Sequence, residues 1–249
     1  MRLSVYCIAF MLFLPLCQKA EGDKTGRKNP WGDISEIRPS HMSRGRYVNS
    51  GKTRVIALEE QPYRRVKGFW REYIIQCAKA TLRKVGTGDG PFIRASSQLG
   101  EKYSPEKGND GKVNTCWAEG KPGSGIGEWI LFYQYELYLD FHLYNGLWAS
   151  KELYYANNRI KKAEVTVYRV YGKKDGVFSE PCIVSRKVVE LEDKIWPTNF
   201  LRKYKGINQE QWYKKYKKFK HQFFYNFIVI KILDVYRGTK YDDTCISEL

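Results

Sequence analysis

Residues 110–130 read D-G-K-V-N-T-C-W-A-E-G-K-P-G-S-G-I-G-E-W-I, and the reading of this stretch decides the fold. Asp110-Gly111 is a turn pair. Thr115 and Trp117 open an ordered segment. Gly120, Gly123, Gly125 and Gly127 follow within eight residues. So much glycine excludes helix or strand there, because each one loses backbone freedom on ordering and offers no side chain to pack. Glu128-Trp129-Ile130-Leu131-Phe132 then begins a strand. The local order is a polar turn, an anchored Trp, a glycine loop and a strand.

Outward from this stretch the chain alternates. Phe92–Ser97 leads in, with turns through Gly100, Pro105 and Gly108. Leu137, Leu139, Phe141 and Leu143 alternate with Tyr138, Asp140, His142 and Tyr144, the period-2 pattern of a half-buried strand. Ala163–Val170 repeats that pattern. Cys182–Glu190, Phe227–Val235 and Cys245–Leu249 read as further strands. Phe227–Val235 is nearly continuous in apolar residues, which implies burial on both faces. Many short strands at this spacing predict an all-β sandwich of jelly-roll type. One segment breaks the pattern. Asn208 and Gln211 sit as a capping box. Trp212, Tyr216, Phe219 and Phe223 follow at helical spacing. The 202–220 segment carries eight Lys/Arg residues and one acid, Glu210, so it reads as a short basic helix. Lys214, Lys215, Lys217, Lys218 and Lys220 are its candidate contacts to an acidic polymer or to membrane headgroups.

The motifs also carry a resemblance. D-G-x-x-x-T-x-W resembles the turn that opens many discoidin-like domains of the galactose-binding β-sandwich group. G-x-G-I-G-E-W-I is similar to the bacterial glycan-binding module first named from the translocation domain of a secreted NAD glycohydrolase. Asn145-Gly146-Leu147-Trp148 with Leu153–Lys161, and the stretch Asp234–Glu248, match that module in order. The resemblance covers roughly residues 90–249 and implies a galactose-binding-domain-like sandwich that binds carbohydrate. It implies a structural calcium ion held by Asp110, Thr115 and Glu248, with Asn114 as the additional ligand. If those three converge, Cys116 and Cys245 lie close, which implies a Cys116–Cys245 bridge and leaves Cys77 with Cys182. It also directs attention to the 145–159 loop, where Trp148, Tyr154, Tyr155, Asn157, Asn158 and Arg159 supply sugar-stacking faces and planar polar groups. Arg159 is suited to grip a carboxylate or sulfate in two bonds. Asn157-Asn158 also reads as a plain turn, and the two tyrosines as core.

The 249 residues are 43% hydrophobic and 15% aromatic, enough for a real core. Residues 1–22 read as a signal peptide, with Arg2 as the charged start and Leu3–Leu16 as the apolar run. That run is too short for an ordinary membrane span, and no later segment is long and apolar enough for one. The expected location is therefore secreted or on the cell envelope. Leu14-Pro15-Leu16-Cys17 resembles a lipobox, which would place a lipid anchor on Cys17, although Leu16 is bulky for that box. Cleavage after Ala20 or Gly22 is the alternative. Residues 23–88 read as an arm and N-terminal extension adding strands to the module at 89–249, with Arg54–Leu58 and Tyr73–Val85 as strands. Lys+Arg is 43 against Asp+Glu 27, a formal charge of +16. A surface this basic favours acidic partners such as anionic polysaccharide, lipid headgroups or nucleic acid. Cys77, Cys116, Cys182 and Cys245 remain after export, an even number compatible with two disulfides in three connectivities.

Catalysis finds no support. His41, His142 and His221 have no spacing that suggests a dyad or metal cluster, and neither G-x-S-x-G nor H-E-x-x-H occurs. The reading is a non-catalytic carbohydrate-binding module on a cell surface. Its alternative is a basic adhesin acting through 202–220.

Overall fold

A computed structural model describes residues 53–59, 64–87, 92–134, 141–172, 176–199 and 223–249. The signal peptide, Cys17, the arm and the basic 202–220 segment lie outside the described residues. The elements are β1 (Thr53–Glu59), β2 (Arg64–Arg65), α1 (Phe69–Thr87), β3 (Ile93–Ala95), β4 (Trp117–Ala118) and β5 (Trp129–Gln134). They continue with β6 (His142–Asn145), α2 (Lys151–Ala156), β7 (Arg159–Gly172), β8 (Cys182–Leu191), β9 (Thr198–Asn199), β10 (Phe223–Tyr236) and β11 (Cys245–Glu248). Among the described residues they form two sheets. The larger runs β1-β8-β7-β10-β5-β3, with β2 also on β8, and the smaller runs β4-β11-β6-β9. Each named pairing is antiparallel. The all-β sandwich is the fold the alternation predicts.

The core lies between the sheets. Trp117, Leu143 and Ile246 of the small sheet meet Ile130, Phe132, Val165, Ile228 and Ile230 of the large one. Each fully buried side chain of this size contributes about 1.5–3 kcal/mol relative to leaving it in water. The residues between them on β5 and β10, namely Leu131, Phe227 and Val229, face the other way into a second apolar cluster with Ile74, Cys77 and Ala78 of α1. These two strands are therefore covered on both faces, which explains their unbroken apolar runs.

The strand expected at Tyr73–Val85 is instead the middle of α1. Its buried residues are Ile74, Cys77, Ala78 and Thr81, a spacing of three, four and seven that lines one face of a helix. The Thr81 hydroxyl donates back to the Cys77 carbonyl at 2.9 Å, which satisfies it on that buried face. The strand expected at Arg54–Leu58 is β1, and it pairs with β8 from Thr53↔Leu191 to Glu59↔Arg186. Residues 53–87 thus supply two strands and a helix to the same sandwich.

The register decides which loops meet. Tyr236 pairs with Arg159, Lys162 with Glu190, Lys231 with Trp129, and Ala95 with Ile130. The ends of β3, β8 and β10 and the starts of β5 and β7 therefore share one end of the large sheet. Segments 96–99, 119–128, 151–158, 192–197 and 237–244 all emerge there.

Candidate functional site

The glycine loop is wrapped around one carboxylate. Glu119 is 0% exposed. Its Oε2 accepts from the Lys121 amide at 2.8 Å and its Oε1 from the Thr244 amide at 3.3 Å. Burial raises its pKa, and those two backbone bonds oppose the rise. Gly125 has φ +67°, and a Cβ there would stand 2.5 Å from the Glu119 Cγ and Cδ. Any side chain at 125 would meet both backbone strain and a clash. Thr244 Oγ1 donates to the Ser124 carbonyl at 2.8 Å, tying this loop to the segment after β10. Glu128 accepts from Ser96 and Ser97 hydroxyls, each at 2.6 Å. Burial works against its ionisation, but these two bonds hold its pKa below the usual carboxylate range.

The 145–159 segment is a built frame. Ser150 caps α2 by accepting from the Leu153 amide at 3.2 Å. Trp148 is buried, and its indole donates to the Asn145 carbonyl at 2.8 Å. Asn157 donates to the Leu153 carbonyl at 2.8 Å. Asn158 donates to the Asp242 carbonyl and accepts from the Gly238 amide, both at 2.7 Å. Arg159, 4% exposed, forks onto Asp193, with Nη2–Oδ2 2.6 Å and Nε–Oδ1 3.1 Å. The Tyr154 hydroxyl shares the same carboxylate at 3.1 Å. The phenol lies beneath the surface, and burial carries its pKa far above the usual range for tyrosine.

Five of the six residues expected to touch sugar are therefore buried, with their polar groups spent inside the protein. Trp148, Tyr154, Asn157, Asn158 and Arg159 hold the loop; they do not line its outer face. The physical reason is the close approach of three segments, which leaves no room between them. Gly146, at φ +89°, has Arg159 Cγ only 2.7 Å from where a Cβ would sit. Tyr155 is the exception, at 39% exposed.

Two further rings are exposed on the same end of the sheet. Trp196 and Tyr241 are each 41% exposed. The 237–244 segment is strapped to α2. The Thr239 amide donates to the Tyr155 carbonyl at 2.9 Å, and the Tyr241 amide to the Ala156 carbonyl at 2.8 Å. The Arg159–Asp193 fork anchors the 192–197 segment that carries Trp196. The Lys240 ammonium sits 5.1 Å from the Tyr241 ring centroid. Arg237 is paired with Asp242 at 2.5 Å, and Lys194 with Glu192 at 2.9 Å. The five segments carry seven carboxylates and five cations, a net of −2 on a chain of +16. Asp193, Trp196 and Tyr241 escape a reading of the sequence. Their signal is slight: each follows the end of a long strand, in a turn whose placement depends on the sheet order.

Away from these loops, the structure brings three of the four expected metal ligands together. Asp110 Oδ1 accepts from Thr115 Oγ1 at 2.9 Å and from the Lys112 amide at 3.0 Å. Both oxygens of Glu248 accept from the Gly111 amide at 3.2 Å. Burial, reinforced by repulsion from Asp110, lifts the Glu248 pKa to about 7. Asp110 Oδ2 is buried without a hydrogen bond, with Lys107 Nζ 3.7 Å away. Two repelling carboxylates, an unpartnered oxygen and the Lys112 carbonyl 3.1 Å from Thr115 Oγ1 make an all-oxygen set of the kind hard cations take. Asn114 is exposed. No group of three or more His, Cys, Asp or Glu side chains forms among the described residues, so such a site relies on hydroxyl and carbonyl oxygens.

The four cysteines are buried free thiols. Cys116 and Cys245 share one small apolar cluster with Ala118 and Leu147. The expected Cys77–Cys182 pair is not brought together. Cys77 lies under α1 in one cluster with Ile183, whereas Cys182 pairs with Arg169 and faces the other way from Ile183. The large sheet stands between them.

Residues 91–249 match the family model described as the NAD glycohydrolase translocation F5/8 type C domain. The chain belongs to this family. The resemblance read from the glycine loop and its two companion motifs is thus correct. Among curated proteins, none matches the chain. Solved structures are similar at low identity. One is chitosan-binding module 1 of a chitosanase/glucanase from Paenibacillus sp. IK-5, at 12% identity over 64% of this chain and 91% of that one, with a TM-score of 0.30. Another holds the CBM32-1 and CBM32-2 domains of Clostridium perfringens ZmpB in complex with GalNAc, at 12% identity over 82% of this chain and 40% of that one, TM-score 0.30. A third is the CBM32 of AlyQ in complex with 4,5-unsaturated mannuronic acid, at 12% identity over 63% and 90%, TM-score 0.22. The assignment of the fold rests on the family and on the observed strands.

Proposed function

We propose that this chain is a non-catalytic carbohydrate-binding module that takes a cell-surface glycan at the loop end of its sandwich. The observation that carries the reading is the coincidence there of three exposed rings, Tyr155, Trp196 and Tyr241, with a slightly negative local charge on a basic chain. Sugar C–H faces stack on aromatic rings, while ionic groups that pair with one another leave little net field. Four of the carboxylates of this end are engaged: Glu119 and Glu128 in hydrogen bonds, Asp193 with Arg159, Asp242 with Arg237.

A structural Ca²⁺ ion fits the other site. Asp110 and Glu248 would hold it with the Thr115 hydroxyl, and the ion would neutralise two carboxylates that otherwise repel. The chain's location follows from residues 1–22: export to the medium or cell envelope, with Cys17 as the lipid attachment point if the lipobox is read. Palmitate labelling of the mature protein tests the anchor, and absence of label removes it. Among the described residues no helix is long and apolar enough to cross a membrane.

A glycan array of residues 23–249 at low and high salt, with calcium, tests the function. GalNAc, chitosan oligosaccharides and mannuronic acid are natural first probes, being the sugars named with the similar structures. Salt-resistant binding that is lost in Trp196→Ala supports the reading. Binding confined to sulfated or sialylated polymers and abolished by salt is the signature of counterion release. It would move the function to Lys214, Lys215, Lys217, Lys218 and Lys220. The chain's +16 charge, concentrated away from the loop end, is what keeps that reading in view.

A further inference from the structure

We propose that Cys116 and Cys245 form a disulfide that clamps the start of β4 to β11. The packing carries it. Cys245 pairs with Ala118 and Ile246 with Trp117, so Cys116 lies diagonal to Cys245 across the ladder, two residues before its direct partner. Side chains alternate across the ladder. Trp117 and Ile246 enter the main core, and Cys116, Ala118 and Cys245 share the opposite face. There they form a small cluster of their own with Leu147. Within it Cys116 and Cys245 are packed together, and the Cys245 sulfur lies 4.0 Å from the Asp243 carbonyl. Cys77 and Cys182 are held on opposite faces of the large sheet and have no such neighbour.

Both partner thiols are 2% exposed. Once the chain is folded an oxidant in solution has no path to them, so the bond forms during folding. The oxidant is a disulfide donor, by ordinary thiol–disulfide exchange. One cysteine thiolate attacks the donor disulfide and expels one donor thiolate. The second cysteine thiolate attacks the mixed disulfide and expels the other. Two cysteine thiols are oxidised to one disulfide, and the donor is reduced to two thiols that take up the two protons. The closed loop spans most of the sandwich, the case in which a cross-link restricts the unfolded chain most. The clamp also fixes β11, which carries Glu248 of the oxygen cluster and follows directly on Thr244 of the glycine-loop strap. It stands independently of the glycan reading.

The test is oxidative refolding of the purified chain with oxidised glutathione, then alkylation of free thiols and non-reducing peptide mapping. The expected map has one linked pair, Cys116 with Cys245, and alkylated Cys77 and Cys182. Alkylation of both Cys116 and Cys245, or linkage of either to Cys77 or Cys182, overturns the proposal. The double variant Cys116→Ala/Cys245→Ala supplies the second readout. Wild type should melt several degrees higher oxidised than in dithiothreitol, and the variant should melt alike in both. An equal response of the two proteins to reductant also overturns it.

Discussion

Replacing Asp193 by alanine should destabilise the protein more than any other single change at a partly exposed loop position. Asp193 takes the fork of Arg159 at 2.6 and 3.1 Å and the Tyr154 hydroxyl at 3.1 Å. Removing it strands a guanidinium whose side chain is 5% exposed, while the Asp193 side chain itself is 29% exposed. Breaking a buried pair from one side costs about 3–5 kcal/mol. Partial solvation of Asp193 places the loss at the lower end, roughly 3 kcal/mol, because water already screens part of the pair. For a domain of this size that corresponds to a fall in Tm of about 6–12 °C. Asp193→Asn keeps the shape and one acceptor and should fall between. Tyr154→Phe removes a single bond and should cost about 1 kcal/mol. Calorimetric or fluorescence melts of the three variants give the series. An Asp193→Ala protein that melts within about 1 °C of wild type would refute the claim that this ion pair anchors the 192–197 segment.

Three further outcomes follow from the same geometry. Gly238→Ala should separate the 237–244 segment from α2, because its Cβ would stand 2.3 Å from the Ala156 carbonyl oxygen. Loss of the amide protection of Thr239 and Tyr241 in hydrogen exchange would register it, and unchanged protection would contradict it. Trp196→Ala and Tyr241→Ala should leave stability within about 0.5 kcal/mol, as surface changes do. Each should weaken glycan binding by more than 1 kcal/mol, or about five- to tenfold, as truncated aromatic anchors do; calorimetric titration measures both. Calcium at a hundredfold excess over its Kd should stabilise the chain by about 2.7 kcal/mol. That shift should vanish in Asp110→Asn, and a wild-type Tm indifferent to millimolar calcium would remove the ion from the account.

The sandwich was legible where a strand has one wet face or two dry ones. The alternation of Ala163–Val170 and the unbroken Phe227–Val235 run both report their surroundings directly. α1 was not, because its short apolar stripe at 74, 77, 78 and 81 is diluted by Tyr73, Ile75, Ala80 and Leu82, so no single period dominates. At the oxygen cluster, local spacing places Thr115 on Asp110, and only the family pattern brings in Glu248 from the far end of the chain. The residues expected to touch sugar were misread in their exposure. Trp148, Tyr154 and Arg159 have the side chains of a sugar site, but whether a ring faces water depends on what the next loop does. Gly238 and Asp193, both remote in sequence, close over them. Trp196 and Tyr241 reach the surface for the converse reason: each lies at a turn that nothing covers among the described residues.

The most direct test is to map the strongest array glycan onto the amide spectrum of the ¹⁵N-labelled chain. Shifts concentrated at 155–158, 192–197 and 237–243, and abolished in Trp196→Ala, are the predicted result. Shifts that avoid these segments and fall on 202–220 would contradict the loop-end site.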